Sequence, residues 1–203
     1  MSGFKTIQEM FDFSAKAYSE KKAFFWKDEG TKEVITYGEL HEIALKFAGA
    51  MLQHGIKKDD KIMREAENII PEDVRYPTVQ RENICCILFS SGSTDYPKGV
   101  VLKQKTMVAS ILGALDIIDY TENENSLSWL PMTHAFGFIG FHLIPICCGA
   151  NQGIMLPSMF VKNPKEFLNK VSQYKITVFG AMNFALKILS ASITDVKEIL
   201  NVN

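Results

Sequence analysis

Phe89 to Leu102 reads F-S-S-G-S-T-D-Y-P-K-G-V-V-L, and the apolar run I-C-C-I-L precedes it at residues 84–88. A continuous apolar run of this length, bounded by turn residues, predicts a strand buried on both faces. The loop after it holds hydroxyls, flexible backbone around Gly92 and an ammonium at Lys98, and residues 99–102 predict a second strand. Hydroxyls, backbone N–H groups in a nest and one cation are what a polyphosphate needs. It is not a Walker loop, because Lys98 is followed by Gly99 rather than Ser or Thr. On composition alone, a polar hairpin tip explains the stretch equally well.

Outward from this loop the texture is α/β. Residues 106–115 fit a helix, 127–130 a short strand ending at Pro131, and 138–148 a buried helix stopped by Gly149. Residues 154–156 fit a strand. Asn163-Pro164-Lys165-Glu166 combines an N-cap, a Pro at the first helical position and a box glutamate, with Phe167, Leu168, Val171 and Tyr174 as the apolar face. Residues 176–179 then predict a buried strand ending at Gly180, and 183–189 a further helix. Towards the N-terminus, residues 23–26 and 33–35 read as strands around a turn at Asp28-Glu29-Gly30. Thr36 and Glu39 have capping-box spacing before Leu40, Ile43, Ala44, Phe47, Met51 and Leu52, and Gly55 is the stop. Residues 57–82 are charged and aperiodic, a junction. Strands alternating with helices at these spacings predict a mostly parallel sheet flanked by helices.

The totals exclude several classes. The 22 Lys and Arg nearly balance the 23 Asp and Glu, and no basic run occurs, which argues against a nucleic-acid or anionic-membrane binder. The N-terminus has charges in every turn and so is no signal peptide. The longest apolar stretch, residues 136–150, contains His142 and Pro145 and falls short of the roughly 20 residues a bilayer span requires. The four cysteines form two adjacent pairs, Cys85-Cys86 and Cys147-Cys148, without C-x-x-C spacing. They read as buried free thiols of a cytoplasmic protein, with no metal site. His41, His54 and His142 lack a partner pattern and read as structural or surface residues. The best match to a nucleophile elbow, Gly-x-Ser-x-Asp, fails the G-x-S-x-G requirement.

The stretch S-S-G-S-T-D-Y-P-K-G resembles the phosphate-binding loop of the adenylate-forming superfamily: acyl-CoA synthetases, fatty acyl-AMP ligases and nonribosomal-peptide adenylation domains. I-T-Y-G-E-L with its helix, S-W-L-P-M-T-H-A-F-G-F-I-G, and Y-K-I-T-V-F-G-A-M-N-F-A-L resemble further segments of that family in the same order. The last two look most like the fatty-acyl branch. The resemblance implies one partial adenylate-forming large domain over residues 1–203. Residues 1–60 would be its early strands and helix, 61–80 a shortened junction, and 81–203 the phosphate loop and acyl-pocket region. It implies that Ser91, Gly92, Ser93, Thr94 and Lys98 hold ATP phosphates. His134 would stand beside the carboxylate and α-phosphate as the catalytic residue and line the acyl pocket with Gly180 and Asn183. The implied reaction joins a carboxylic acid of fatty-acyl type to AMP, using ATP with Mg²⁺. CoA or a carrier protein would be the acceptor.

Three departures accompany the resemblance. Residues 61–80 stand where the family has a much longer stretch. The tail S-A-S-I-T-D-V-K-E-I-L-N-V-N lacks the family's adenine-contacting Tyr-Gly-x-Thr-Glu segment and its ribose-binding Asp, and the small C-terminal domain with its Lys has no counterpart here. The expectation is therefore a chain incomplete for catalysis by itself. An inactive binding or scaffold module that keeps the fold core is the alternative. A domain shortened in this way should also leave apolar faces uncovered and self-associate.

The third departure is Asp95, which occupies a position that is Gly in the family pattern. A carboxylate at contact distance from a polyphosphate is repulsive by about 1–4 kcal/mol, depending on the effective dielectric. Asp95→Gly is therefore expected to tighten ATP binding in calorimetric titrations, with or without Mg²⁺. Weaker binding confined to the Mg²⁺ titration would instead identify Asp95 as a bridge to the metal.

Overall fold

In the computed structural model, residues 3–28, 31–57, 60, 77–90 and 98–193 are described. Two strands, β1 (Lys22–Asp28) and β2 (Thr31–Thr36), form an antiparallel pair at one side of a five-stranded sheet ordered β2-β1-β6-β5-β7. The remaining members are β5 (Asn125–Ser128), β6 (Asn151–Ile154) and β7 (Val178–Phe179), and every pairing beyond β1–β2 is parallel. The α/β architecture with a mostly parallel, helix-flanked sheet is thus present.

Strand alternation sends neighbouring side chains to opposite faces. Phe24 meets the His142 ring on one face, and Phe25 packs on Tyr174 on the other. The first face carries α1 (Ile7–Ala17), α3 (Gln104–Ile117) and α4 (Ile144–Cys148), which share a core of Met10, Val108, Ile111, Leu115, Ile144, Cys147 and Cys148. The second carries α5 (Pro157–Lys162), α6 (Pro164–Gln173) and α7 (Asn183–Ser192), packed through Phe160, Phe167, Ala185 and Leu189 onto Leu127. Trp129 stacks on Phe160 within that second core, ring centroids 4.2 Å apart. The outcome is three layers.

Helix α2 (Tyr37–Gln53) starts as its pattern requires. Thr36 and Glu39 form both bonds of the capping box, and Gly55 leaves the helix at a φ of 81°. Its apolar stripe, however, is not core: Ile43 and Phe47 are exposed, and Tyr37, Gly49 and Ala50 are buried. Helix α1 escapes the periodicity reading, because charged residues interleave with its buried Met10, Ser14 and Ala15. The local signal was present. Thr6-Ile7-Gln8-Glu9 repeats the capping-box spacing, and the Thr6 hydroxyl accepts the Glu9 N–H at 3.1 Å.

The apolar run at residues 84–89 requires a correction. Strand β3 (Ile84–Ser90) pairs antiparallel with β4 (Lys98–Lys103) in a separate two-stranded sheet, and Phe89 is 65% exposed. Among the described residues it has no further strand neighbour, so the run is not a buried strand of the parallel sheet. Two smaller corrections follow the same logic of local signal against tertiary context. The Asn163 side chain makes no cap bond to α6, and Glu166 pairs with Lys170 instead. The strand expected at 154–156 lies earlier, at β6, where buried Gln152 and Gly153 do not look apolar.

Gly149 ends α4 at a φ of 84°, and a Cβ there would come within 2.2 Å of the Tyr18 ring. Only glycine meets both conditions. Cys147 and Cys148 are fully buried, and burial pushes both thiols up to about 12. Cys85 and Cys86 are half-buried on β3. Among the described residues no helix is long and apolar enough to cross a membrane.

His142 sits between the rings of Phe24 and Phe138, and its Nδ1–H donates to Oε1 of fully buried Gln152 at 3.1 Å. Burial lowers its pKa below the ordinary histidine value of 6.5. The unfolded chain therefore binds a proton here that the folded chain excludes. Stability is fully present above about pH 6.5 and falls as the pH drops below it, by at most about 1.4 kcal/mol per pH unit, until the folded ring titrates. Urea unfolding at neutral and mildly acidic pH should show this slope in the wild type, and His142→Leu should remove it.

Candidate active site

Strands β3 and β4 flank the polar loop in the sequence, and Ser90 and Lys98 are paired across them. Ser91, Gly92, Ser93 and Thr94 fall outside the described residues. Lys98 is exposed as the first residue of β4, which sets a cationic residue at the base of the loop. Hydroxyl and ammonium groups are donors of the kind that suit phosphate oxygens. Among the described residues no cluster of three or more His, Cys, Asp and Glu could hold an ion.

The second part of the site lies where β5 and β7 end. These strands are adjacent and parallel, with Leu127 opposite Phe179, so the segments leaving them share one edge of the sheet. In open α/β sheets, ligands bind at that carboxyl edge. After β5 come buried Trp129 and Leu130 and a turn in which the His134 N–H donates to the Pro131 carbonyl at 3.1 Å. A π-helix then occupies Phe136–Leu143 before α4, in place of the single helix expected over residues 138–148. Pro145 has no N–H, so the carbonyl four residues earlier, at Phe141, has no α-helical donor, and a wider turn results. Gly137 permits the arrangement. It is buried, and a Cβ there would lie 2.4 Å from the Pro131 carbonyl oxygen.

His134 is exposed at the start of this π-helix. Its Nδ1 accepts the Phe136 N–H at 3.1 Å. With Nδ1 occupied as an acceptor, the neutral ring carries its proton on Nε2 and presents a donor N–H outward. Such a donor suits a carboxylate or phosphate oxygen. After β7, Gly180 is buried with its Cα against the π-helix: a Cβ would meet Phe141 Cε2 at 2.2 Å and Phe136 Cζ at 3.1 Å. Asn183 follows as the exposed first residue of α7.

His134 holds the Phe136 backbone N–H and the Phe136 ring lies beside Gly180, so Phe136 stands between two residues 46 positions apart in the chain. Asn183 is at the same edge. Lys98 belongs to the other sheet. The residues that sequence reasoning missed are Phe136 and Phe141, which touch Gly180, and the buried His142–Gln152 pair behind them. The two phenylalanines are spaced i, i+5, which a 3.6-residue period does not align but a π-turn does. A cavity of about 20 Å³, room for about one water, lies between the sheet and α5–α6, with Phe25, Leu127, Met155, Lys170 and Tyr174 among its lining. None of His134, Gly180 and Asn183 lines it.

A mostly parallel sheet with helices on both faces, β5 and β7 adjacent at its carboxyl edge, defines an α/β fold of the open-sheet class. The profile of the AMP-binding enzyme family matches residues 64–199, and the chain belongs to that family. A putative acyl-CoA synthetase from Caulobacter vibrioides (strain NA1000 / CB15N) is 30% identical over 122 residues, covering 59% of this chain and 21% of that protein. Long-chain-fatty-acid–CoA ligase 1 from Saccharomyces cerevisiae is 36% identical over 97 residues, covering 47% of this chain and 13% of that protein. The crystal structure of a fatty acyl-adenylate ligase from L. pneumophila, in complex with acyl adenylate and pyrophosphate, superposes with a TM-score of 0.83 at 19% identity. It covers 96% of this chain and 47% of that chain. The chain thus spans about a fifth or less of the first curated relatives and under half of that structure.

Gly137 gives a direct test of how the His134 turn is held. Gly137→Ala should destabilise the chain by about 1–3 kcal/mol, because the new methyl faces an immovable backbone carbonyl. Gly113 of α3 has open space around it, and Gly113→Ala should stabilise by about 0.5–1 kcal/mol. Paired denaturant titrations measure the contrast.

Proposed function

We propose that this chain takes part in ATP-dependent activation of a carboxylic acid as its acyl-adenylate. The observation that carries the reading is that the segments holding His134 and Gly180 leave the adjacent carboxyl ends of β5 and β7, in a member of the AMP-binding enzyme family. Ser91, Gly92, Ser93, Thr94 and Lys98 take the phosphates of ATP as the carboxylate approaches the α-phosphorus. Mg²⁺ bound with the nucleotide would supply charge neutralisation. The His134 Nε2–H donates to an oxygen of the reacting carboxylate or α-phosphate, where negative charge must be stabilised. Gly180 and Asn183 form part of the wall for the acyl group. The acid is of fatty-acyl type or of a related apolar class, with CoA or a carrier protein as acceptor.

The reading includes incompleteness. Because the chain spans under half of the structures it superposes on, the remaining contacts to nucleotide come from outside these residues. Exposed Phe89, Val100 and Val101 on the hairpin favour association with another polypeptide, a second copy included.

Incubation of the 203-residue chain with ATP, Mg²⁺ and a panel of carboxylic acids, followed by pyrophosphate release, tests the reading together with calorimetry of ATP and non-hydrolysable acyl-adenylate analogues. The expected outcome is measurable binding without turnover. Binding of neither ATP nor any analogue would overturn adenylation and favour the inactive scaffold; turnover by the chain alone would overturn the incompleteness.

A further inference from the structure

Strand β3 carries a bulge at its cysteine pair. Ile84 pairs with Lys103 and Cys86 with Leu102, so Cys85 is an extra residue with no partner of its own on β4. In a regular strand neighbouring side chains point to opposite faces, which keeps adjacent cysteines apart. A bulge breaks that alternation and re-aims a side chain. Here the Cys85 and Cys86 thiols come within hydrogen-bonding reach of one another. Both are half-buried free thiols open to solvent on one side, whereas Cys147 and Cys148 are fully enclosed at the end of α4.

We infer that Cys85 and Cys86 together form a binding site for a trivalent thiophilic centre of the organoarsenical class, which takes one sulfur from each. The ligand count excludes four-coordinate alternatives. Among the described residues no group of three or more His, Cys, Asp and Glu could hold an ion, so tetrahedral zinc or an iron–sulfur cluster lacks its ligands here. A pyramidal centre with one organic substituent needs only two sulfurs. Its geometry also fits. With bonds of about 2.3 Å to a single centre, two sulfurs at a pyramidal or tetrahedral angle stand roughly 3.5–3.8 Å apart. That is close to the separation of two thiols in hydrogen-bonding contact. A disulfide would draw them to about 2.05 Å, and a linear two-coordinate ion would part them to about 4.6 Å.

Charge points the same way. Burial pushes the Cys85 thiol up to about 12 and raises Cys86 in the same direction, so the thiolates are disfavoured. An arsonous acid, R–As(OH)₂, reacts with the two thiols as neutral groups. Two As–S bonds replace two As–O bonds, each thiol proton leaves with a hydroxide as water, and no atom is oxidised or reduced. The product is uncharged, which a half-buried site accepts. A dithiolate complex of a monovalent ion would bring a net negative charge into the same surroundings, at a desolvation cost.

The test uses the reduced 203-residue chain and phenylarsonous acid, with no nucleotide present. Intact-mass spectrometry should show one adduct per chain, removed by a small competing dithiol. Proteolysis of the loaded wild type should leave the arsenic on the peptide that holds Cys85 and Cys86, which locates the site without any variant. Cys85→Ala and Cys86→Ala should each weaken binding by about 100-fold or more, because two linked contacts gain roughly 10²–10⁴ over one. Cys147→Ala should leave the affinity unchanged, and circular dichroism establishes that each variant is folded. The inference is overturned if the folded wild type takes up no arsenical, if the arsenic is found on Cys147 and Cys148, or if both β3 variants bind as wild type does. The adenylation reading is untouched by each of these results, since it is tested with nucleotide and this site without.

Discussion

The buried carbonyl end of α4 is the constraint on which the remaining architecture depends. Every residue of Ile144–Cys148 is buried, so the last carbonyls of this helix cannot turn to solvent. Two carbonyls of the helix, Pro145 and Cys147, and those of Gly149 and Ala150 just after it face three donors of the N-terminal segment. The Ser14 hydroxyl donates to Cys147 at 2.7 Å, and the Lys21 ammonium to Gly149 at 2.7 Å. The Tyr37 hydroxyl, with no exposure at all, lies 2.9 Å from the Pro145 carbonyl and 2.6 Å from that of Ala150. Each unmade bond would cost roughly 1–3 kcal/mol. Burial depresses the Lys21 pKa, yet the ammonium is placed at a helix carboxyl end, where positive charge is favoured.

That junction explains how the candidate site is held. α4 continues directly from the π-helix, and Gly149 leads into β6. Fixing the end of α4 therefore fixes the register of both neighbours. The His142–Gln152 bond ties the π-helix to β6 a second time, and Gly137 brings its first turn onto the exit of β5. The exposed His134 is mounted on a segment clamped at three places, which fixes the backbone that carries it.

The parts of this fold that were legible in the sequence are those written in local chemistry. The Thr36–Glu39 capping box acts within four residues and needs no tertiary partner. The two strands flanking the polar loop and the alternation of strands with helices were legible for the same reason. Membership of a particular sheet is a tertiary property, and the run at residues 84–89 shows the difference: apolar side chains do not reveal whether anything covers them. β6 was displaced because its buried residues include Gln152, whose burial rests on His142 rather than on apolarity. Helix α1 was hidden because only one narrow stripe of it is buried. For the site, His134 and Gly180 were candidates from motif resemblance, and the structure puts the segments that carry them at the ends of two adjacent strands. Phe136 and Phe141 were not readable, since a π-turn aligns residues that ordinary helical periodicity separates. The quartet Ser91 to Thr94 lies outside the described residues.

The Lys21–Gly149 bond joins positions 128 residues apart. Strand β1 likewise waits for β6 before it can enter the parallel sheet. A chain emerging from a ribosome at about 5–20 residues per second needs roughly 6–26 s to supply the second partner. Throughout that interval the β1–β2 hairpin and the capped helix after it exist without the helix end and strand they are built to meet. The order of synthesis thus makes residues near 150 the moment of closure, with every earlier element held in waiting.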